Sequence, residues 1–96
     1  MYDMSIFLND VWNITFLDGN KLTINPPKIK DRYKLAECSK NDNVYKGLIA
    51  AAVLILNNNK ENITYTEEQL EDLFTEKSLN DFIDNYYKWI DNESKN

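Results

Sequence analysis

A chain of 96 residues is one domain, long enough for a single modest core and too short for two. Its 11 Lys and Arg stand against 16 Asp and Glu, a net charge of −5, and it has no histidine at all. That balance excludes a histidine-based triad or metal site within one chain and argues against a phosphate-backbone partner, which Lys and Arg would have to neutralise. The deficit is uneven: 7 basic and 6 acidic residues up to Gly47 give +1, and 4 basic and 10 acidic residues after it give −6.

Met1 to Asp10 contains one short apolar run, Ile6-Phe7-Leu8, and lacks the basic and long apolar regions of a secretory signal. Either a short strand over Ser5 to Leu8 or a segment lying over the core is compatible with it. Residues 11–25 read as a β-hairpin. Trp12, Ile14 and Phe16 alternate with Asn13, Thr15 and Leu17, and Leu22 and Ile24 alternate with Lys21, Thr23 and Asn25, the period of two of half-buried strands. Asp18-Gly19 supplies the turn, because glycine adopts positive φ freely. Pro26-Pro27 ends the second strand by removing ladder donors.

Helices are expected over residues 28–39, 43–56, 67–74 and 79–91. The first carries Ile29, Tyr33, Leu35 and Ala36 among basic residues, and Asn41 or Asp42 is expected to cap the second. The second presents Val44, Leu48, Ala51, Ala52, Ile55 and Leu56 on one face, widened by Tyr45, Ile49 and Val53, so it belongs at the centre. Its apolar stretch falls short of the ~20 residues that cross a bilayer. Asn57 to Asn62 reads as a polar loop, and Thr66-Glu67-Glu68-Gln69 matches a capping box opening the third helix. Thr75 or Ser78 caps the last helix, where Leu79, Phe82, Ile83, Tyr86 and Ile90 form one apolar stripe. Asn92 to Asn96 are expected to fray. The expected fold is α+β: an N-terminal two-stranded antiparallel hairpin packed on three to four helices.

Little in this chain carries chemistry. Its two glycines, Gly19 and Gly47, build neither a P-loop nor a dinucleotide fingerprint. The carboxylates at Glu67-Glu68 and Glu71-Asp72 favour a helix start and solvent. Cys38 stands alone, so no internal disulfide or cysteine-built metal site forms; it reads as a passive apolar side chain rather than a thiol activated by Lys34 or Lys40. The matches to the glycosylation sequon at Asn13 and Asn62 are chance in a chain without secretion. No catalytic residue, metal ligand, cofactor or small-molecule substrate is expected, and neither a membrane nor a nucleic acid is expected as partner.

What stands out is aromatic surplus: six tyrosines and two tryptophans. Tyr and Trp at a surface favour protein interfaces, since they bury apolar area and keep a polar handle. The candidate protein-binding residues are Trp12 at the hairpin edge and Tyr86, Tyr87, Trp89 and Ile90 on the last helix. The competing reading packs Tyr86 in the core with Tyr87 and Trp89 draped over it.

The order of parts resembles a family. The hairpin Ile14-Thr15-Phe16-Leu17-Asp18-Gly19-Asn20-Lys21-Leu22, then Pro26-Pro27-Lys28-Ile29-Lys30-Asp31-Arg32, then a last helix with Phe82-Ile83-Asp84-Asn85-Tyr86-Tyr87-Lys88-Trp89-Ile90, is similar to the small tail assembly chaperones of long-tailed bacteriophages and prophages. Asn and Lys richness fits a low-GC Gram-positive host. The resemblance implies a non-enzymatic protein of the bacterial host cytoplasm. It would coat the phage tape measure protein transiently and recruit tail tube subunits, with self-association possible and a longer frameshifted form in many members. The alternative is a small acidic phage or plasmid regulator that inhibits a host protein, its C-terminal half mimicking nucleic acid. Lys77 and Lys88 interrupt the carboxylate array that such mimicry needs.

Overall fold

The computed structural model describes residues 1–94 and has an α+β fold, with a hairpin followed by four helices. Strands β1 (Trp12–Thr15) and β2 (Lys21–Ile24) pair antiparallel, Trp12 opposite Ile24 and Ile14 opposite Leu22. Their alternation holds: Phe16, Leu22 and Ile24 are buried, Trp12 and Ile14 half-buried, and Asn13, Thr15 and Leu17 exposed. The turn is wider than two residues. Phe16 N–H donates to the Asn20 carbonyl at 2.8 Å and Gly19 N–H to that of Phe16 at 2.9 Å, with Gly19 at φ 89°. This is the bulged three-residue loop that places glycine in the left-handed region.

The segment before the hairpin is neither a strand nor a core cover. Met4–Asn9 is a 3-10 helix capped by Asp3, whose carboxylate accepts from Ser5 N–H at 2.9 Å. Met4, Ile6, Phe7 and Leu8 are all more than half exposed. The three consecutive apolar residues Ile6-Phe7-Leu8 cannot all face one side of a strand, and here a local side-chain cap offers the backbone a cheaper partner.

Helix α1 (Ile29–Cys38) starts after Pro27, with Lys28 N–H donating to the Asp31 carboxylate at 2.8 Å. Helix α2 (Val44–Asn57) is capped by Asn43, not by Asn41 or Asp42: Asn43 Oδ1 accepts from the N–H of Tyr45 and of Lys46. Asn41 instead accepts from Asn43 N–H and fixes the approach. Central as expected, α2 touches α1, α3, α4 and β2, and buries Ile49, Ala52, Ile55 and Leu56. Its first turn protrudes, leaving Val44 and Tyr45 exposed. Helix α3 (Glu67–Leu73) opens with the expected reciprocal cap between Thr66 and Gln69.

Helix α4 (Glu76–Ser94) starts three residues earlier than its apolar stripe, because Thr75 and Ser78 cap each other reciprocally. It also continues past Asp91 through Ser94, where fraying was expected; Lys95 and Asn96 lie outside the described residues. Leu79, Ile83 and Tyr86 of its stripe are buried, and Phe82 and Ile90 are half-buried against the core.

The run of residues 57–62, expected as a plain polar loop, is built into the sheet and core together with residues 63–65. Asn25 N–H donates to the Asn58 carbonyl at 2.9 Å, and Lys60 N–H to the Thr23 carbonyl at 3.0 Å. Glu61 takes both the N–H and the hydroxyl of Thr23, at 2.8 and 2.7 Å. Buried Asn59 donates to the carbonyls of Leu56 and Ile63 and accepts from Ile63 N–H, while Asn57 brackets both backbone groups of Tyr65. Asn62 allows the reversal at φ 61°. The outer edge of β2 is thereby closed at Thr23, and at Asn25 just beyond it.

Two variants probe this assembly. A Cβ at Gly47 would sit 2.6 Å from the Cys38 carbonyl oxygen, so Gly47→Ala forces α1 and α2 apart. Overpacking of about 1–3 kcal/mol exceeds the gain of about 1 kcal/mol in helix propensity, and urea unfolding should show net destabilisation. The Thr23 N–H and hydroxyl hold the Glu61 carboxyl below its ordinary value of 4.5. A depressed folded value gives stability that is full above the unfolded value and is lost as pH falls through the folded one. Glu61→Gln should therefore flatten the acid limb of the stability–pH profile and leave its neutral slope unchanged.

Candidate protein-binding surfaces

The predicted aromatic residues converge on one structure, a chain of ring contacts joining the hairpin to α4. Trp12 stacks on Phe82 at 5.6 Å and on Trp89 at 5.7 Å, and its ring lies 5.9 Å from that of Tyr86. The i, i+3/i+4, i+7 spacing of Phe82, Tyr86 and Trp89 puts all three on one helix face, so a single strand residue can reach them. From Phe82 the contacts run to Phe74 (5.6 Å), Phe16 (5.4 Å) and Tyr65 (5.1 Å). Edge and offset geometries such as these add about 0.5–1.5 kcal/mol per pair beyond the area buried.

Of the five candidate residues, Trp12, Tyr86 and Trp89 thus serve first to hold the fold. Tyr86 is 2% exposed, which is the competing reading of that residue. Burial pushes its phenol far up, Tyr87 adding to the shift and Arg32 opposing it. Tyr87 leans on Tyr86 edge-on at 5.5 Å and, like Trp89 and Ile90, remains half-buried.

Two grooves flank this core. The first, of about 290 Å³, runs between β1 and α4, floored by Trp12, Ile14, Phe16 and Phe82, with Asp81 its one charged wall. The second, of about 280 Å³, lies between α1, α2 and α4, where Leu35, Cys38, Val44, Leu48, Ile83 and Tyr87 make a mostly apolar lining. Burial raises the Cys38 thiol, with Glu67 and Glu37 reinforcing it, so the thiolate is disfavoured and the side chain acts as lining. Tyr87 is the only predicted residue in this groove.

The most exposed apolar groups were not among the candidates. Besides the N-terminal run they are Leu17, Ile29, Tyr33, Val44 and Tyr45. Ile29 and Tyr33 stand one turn apart on α1 between Lys28, Lys30, Arg32 and Lys34, which makes α1 the basic, apolar-studded helix of an acidic protein. Their lack of helical stripe continuity with Leu35 was the available signal.

Polar contacts pin the turn. Tyr65 hydroxyl donates to Asp18 at 2.7 Å, and Asn20 donates to both. Burial pulls Asp18 upward, but these donors together with Asn20 N–H outweigh it and leave the carboxyl below its ordinary value. Among the described residues no group of three His, Cys, Asp or Glu could hold a metal ion, and no helix is long and apolar enough to cross a membrane.

Comparison with family models, with curated proteins and with solved structures gave no match.

Removing the hub of the aromatic chain tests its role. Trp12→Ala should cost about 3 kcal/mol, read by urea unfolding, and should abolish the near-ultraviolet dichroism of the packed rings.

Proposed function

We propose that this protein is a non-enzymatic phage tail assembly chaperone that binds the tape measure protein transiently in the host cytoplasm and brings tail tube subunits to it. The observation that carries the reading is the apolar groove between α1, α2 and α4, with exposed Val44 at its mouth and Tyr87 on its wall. An amphipathic helix lays its apolar face into such a groove by anchors at i, i+3/i+4 and i+7, and a tape measure protein is a long helix that offers such faces repeatedly. The layout of hairpin, proline pair and aromatic last helix supports the same reading through its resemblance to these chaperones.

Shielding of this kind asks for contacts that are numerous and individually weak, since tube growth must displace them and dissociation rate is what affinity tuning changes. A shallow groove open to solvent suits that demand better than a closed pocket. Tyr87 takes over from Trp89 and Tyr86 as the anchor, because those two rings are committed to Trp12.

The test is capture of a helical tape measure fragment encoded beside this chain. The double variant Val44→Asp, Tyr87→Ala should bind about tenfold more weakly, a loss of about 1.4 kcal/mol, with an unchanged helical circular dichroism spectrum. Equal capture by the folded variant rejects the groove, and no capture by the unaltered protein rejects the function.

A further inference from the structure

The two edges of the hairpin are treated differently. Phe16 N–H donates across the hairpin to Asn20, and antiparallel bonding alternates along a strand pair. By that alternation the N–H and C=O of Trp12 and Ile14 face β2, and those of Asn13 and Thr15 point away from it. On β2 the outward N–H and C=O of Thr23 are taken up by Glu61 and Lys60, and the Asn25 N–H just beyond the strand by Asn58, while the outward groups of Lys21 meet no hydrogen-bonding partner among the described residues. Those of β1 meet no hydrogen-bonding partner among the described residues, and β1 is the free edge of the two-stranded sheet.

That edge lacks the devices that usually protect one. From Val11 to Leu17 it carries no charge and no proline, whereas exposed edges are normally blunted by Lys, Pro or a bulge. Alongside it run the apolar groove over Trp12, Ile14 and Phe82 and exposed Leu17.

From this juxtaposition we infer that β1 pairs with β1 of a second copy, antiparallel across a two-fold axis at Ile14, to make a continuous four-stranded sheet. With Ile14 on the axis, Asn13 faces Thr15 of the second copy and Thr15 faces its Asn13. All four outward N–H and C=O groups of each strand are then bonded. The register is self-complementary, as an isologous contact requires. The same register sets Val11 against the second copy's Leu17, so one occupant covers the edge, the groove floor at Ile14 and Leu17. Charge permits self-contact at this face: the edge from Val11 to Leu17 carries no charge, and the adjoining groove carries a single carboxylate, Asp81. The pairing does not depend on the chaperone reading.

Sedimentation equilibrium between about 10 and 500 µM, with amide exchange at both limits, tests it. The expected result is a monomer–dimer equilibrium in which the Asn13 and Thr15 amides exchange at least about tenfold more slowly in the dimer. Asn13→Pro, with its helical dichroism retained, should stay monomeric; should it unfold, the exchange data on the unaltered chain still decide. A monomer at the upper limit with freely exchanging Asn13 and Thr15 amides, which leaves the edge to a foreign extended segment, overturns the inference. So does a dimer whose β1 amides remain unprotected, or a monomer in which the chain's own arm already protects them.

Discussion

The contact between Trp12 and the face of α4 formed by Phe82, Tyr86 and Trp89 is where the two halves of this molecule become one. A two-stranded hairpin cannot hold itself together in water, and β1 is too short, at four residues, to bury much by itself. One indole that touches three rings on one helix face solves this with a single side chain. Everything downstream of the contact follows from where it sits. Phe16 reaches Phe74 and Tyr65, Leu22 and Ile24 come under α2, and the space left between strand and helix becomes a groove.

The second constraint is polar and lies at the opposite edge of the hairpin. Asn57, Asn58 and Asn59 use their amides on backbone rather than on solvent. Each buried donor and acceptor on residues 57–65 would otherwise cost about 1–3 kcal/mol. With β2 engaged at Thr23 by that segment and by Glu61, the sheet has one partly closed edge and one open edge. The asymmetry gives the molecule a direction: α1 and its groove on one side of α4, the unfinished strand on the other.

The chain leaves some apolar surface uncovered while still folding, and it divides the two roles by element. The rings of α4 are spent on the hairpin, and Tyr86 is wholly committed. What stays uncovered or half-covered is Tyr87, the protruding first turn of α2, the studded face of α1 and the N-terminal arm. These are scattered single residues beside grooves rather than one large patch, an arrangement that suits exchangeable contacts better than a permanent interface.

Local signals decided the elements, because the forces that set them act within a few residues. The period of two around Asp18-Gly19, the stop at Pro26-Pro27, the Thr66–Gln69 box and the stripe from Leu79 to Ile90 each appear in the fold where the sequence carries them. Reciprocal capping by Thr75 and Ser78 and the choice of Asn43 over Asn41 or Asp42 were ambiguous for the same local reason: several neighbouring side chains could satisfy the same amides. Which aromatics would be spent and which left over was beyond any local rule. Tyr86 and Tyr87 are adjacent in sequence, and their different fates come from a strand seventy-odd positions upstream arriving on one side of α4 and not the other. Asn57 to Asn62 likewise read as loop until β2 supplied backbone groups to bind. Sequence alone determined the helices, the hairpin and the α+β class, since period, caps and turns are short-range; only the tertiary structure decided which edge stayed open and which rings stayed free, since both depend on surfaces that meet from distant parts of the chain.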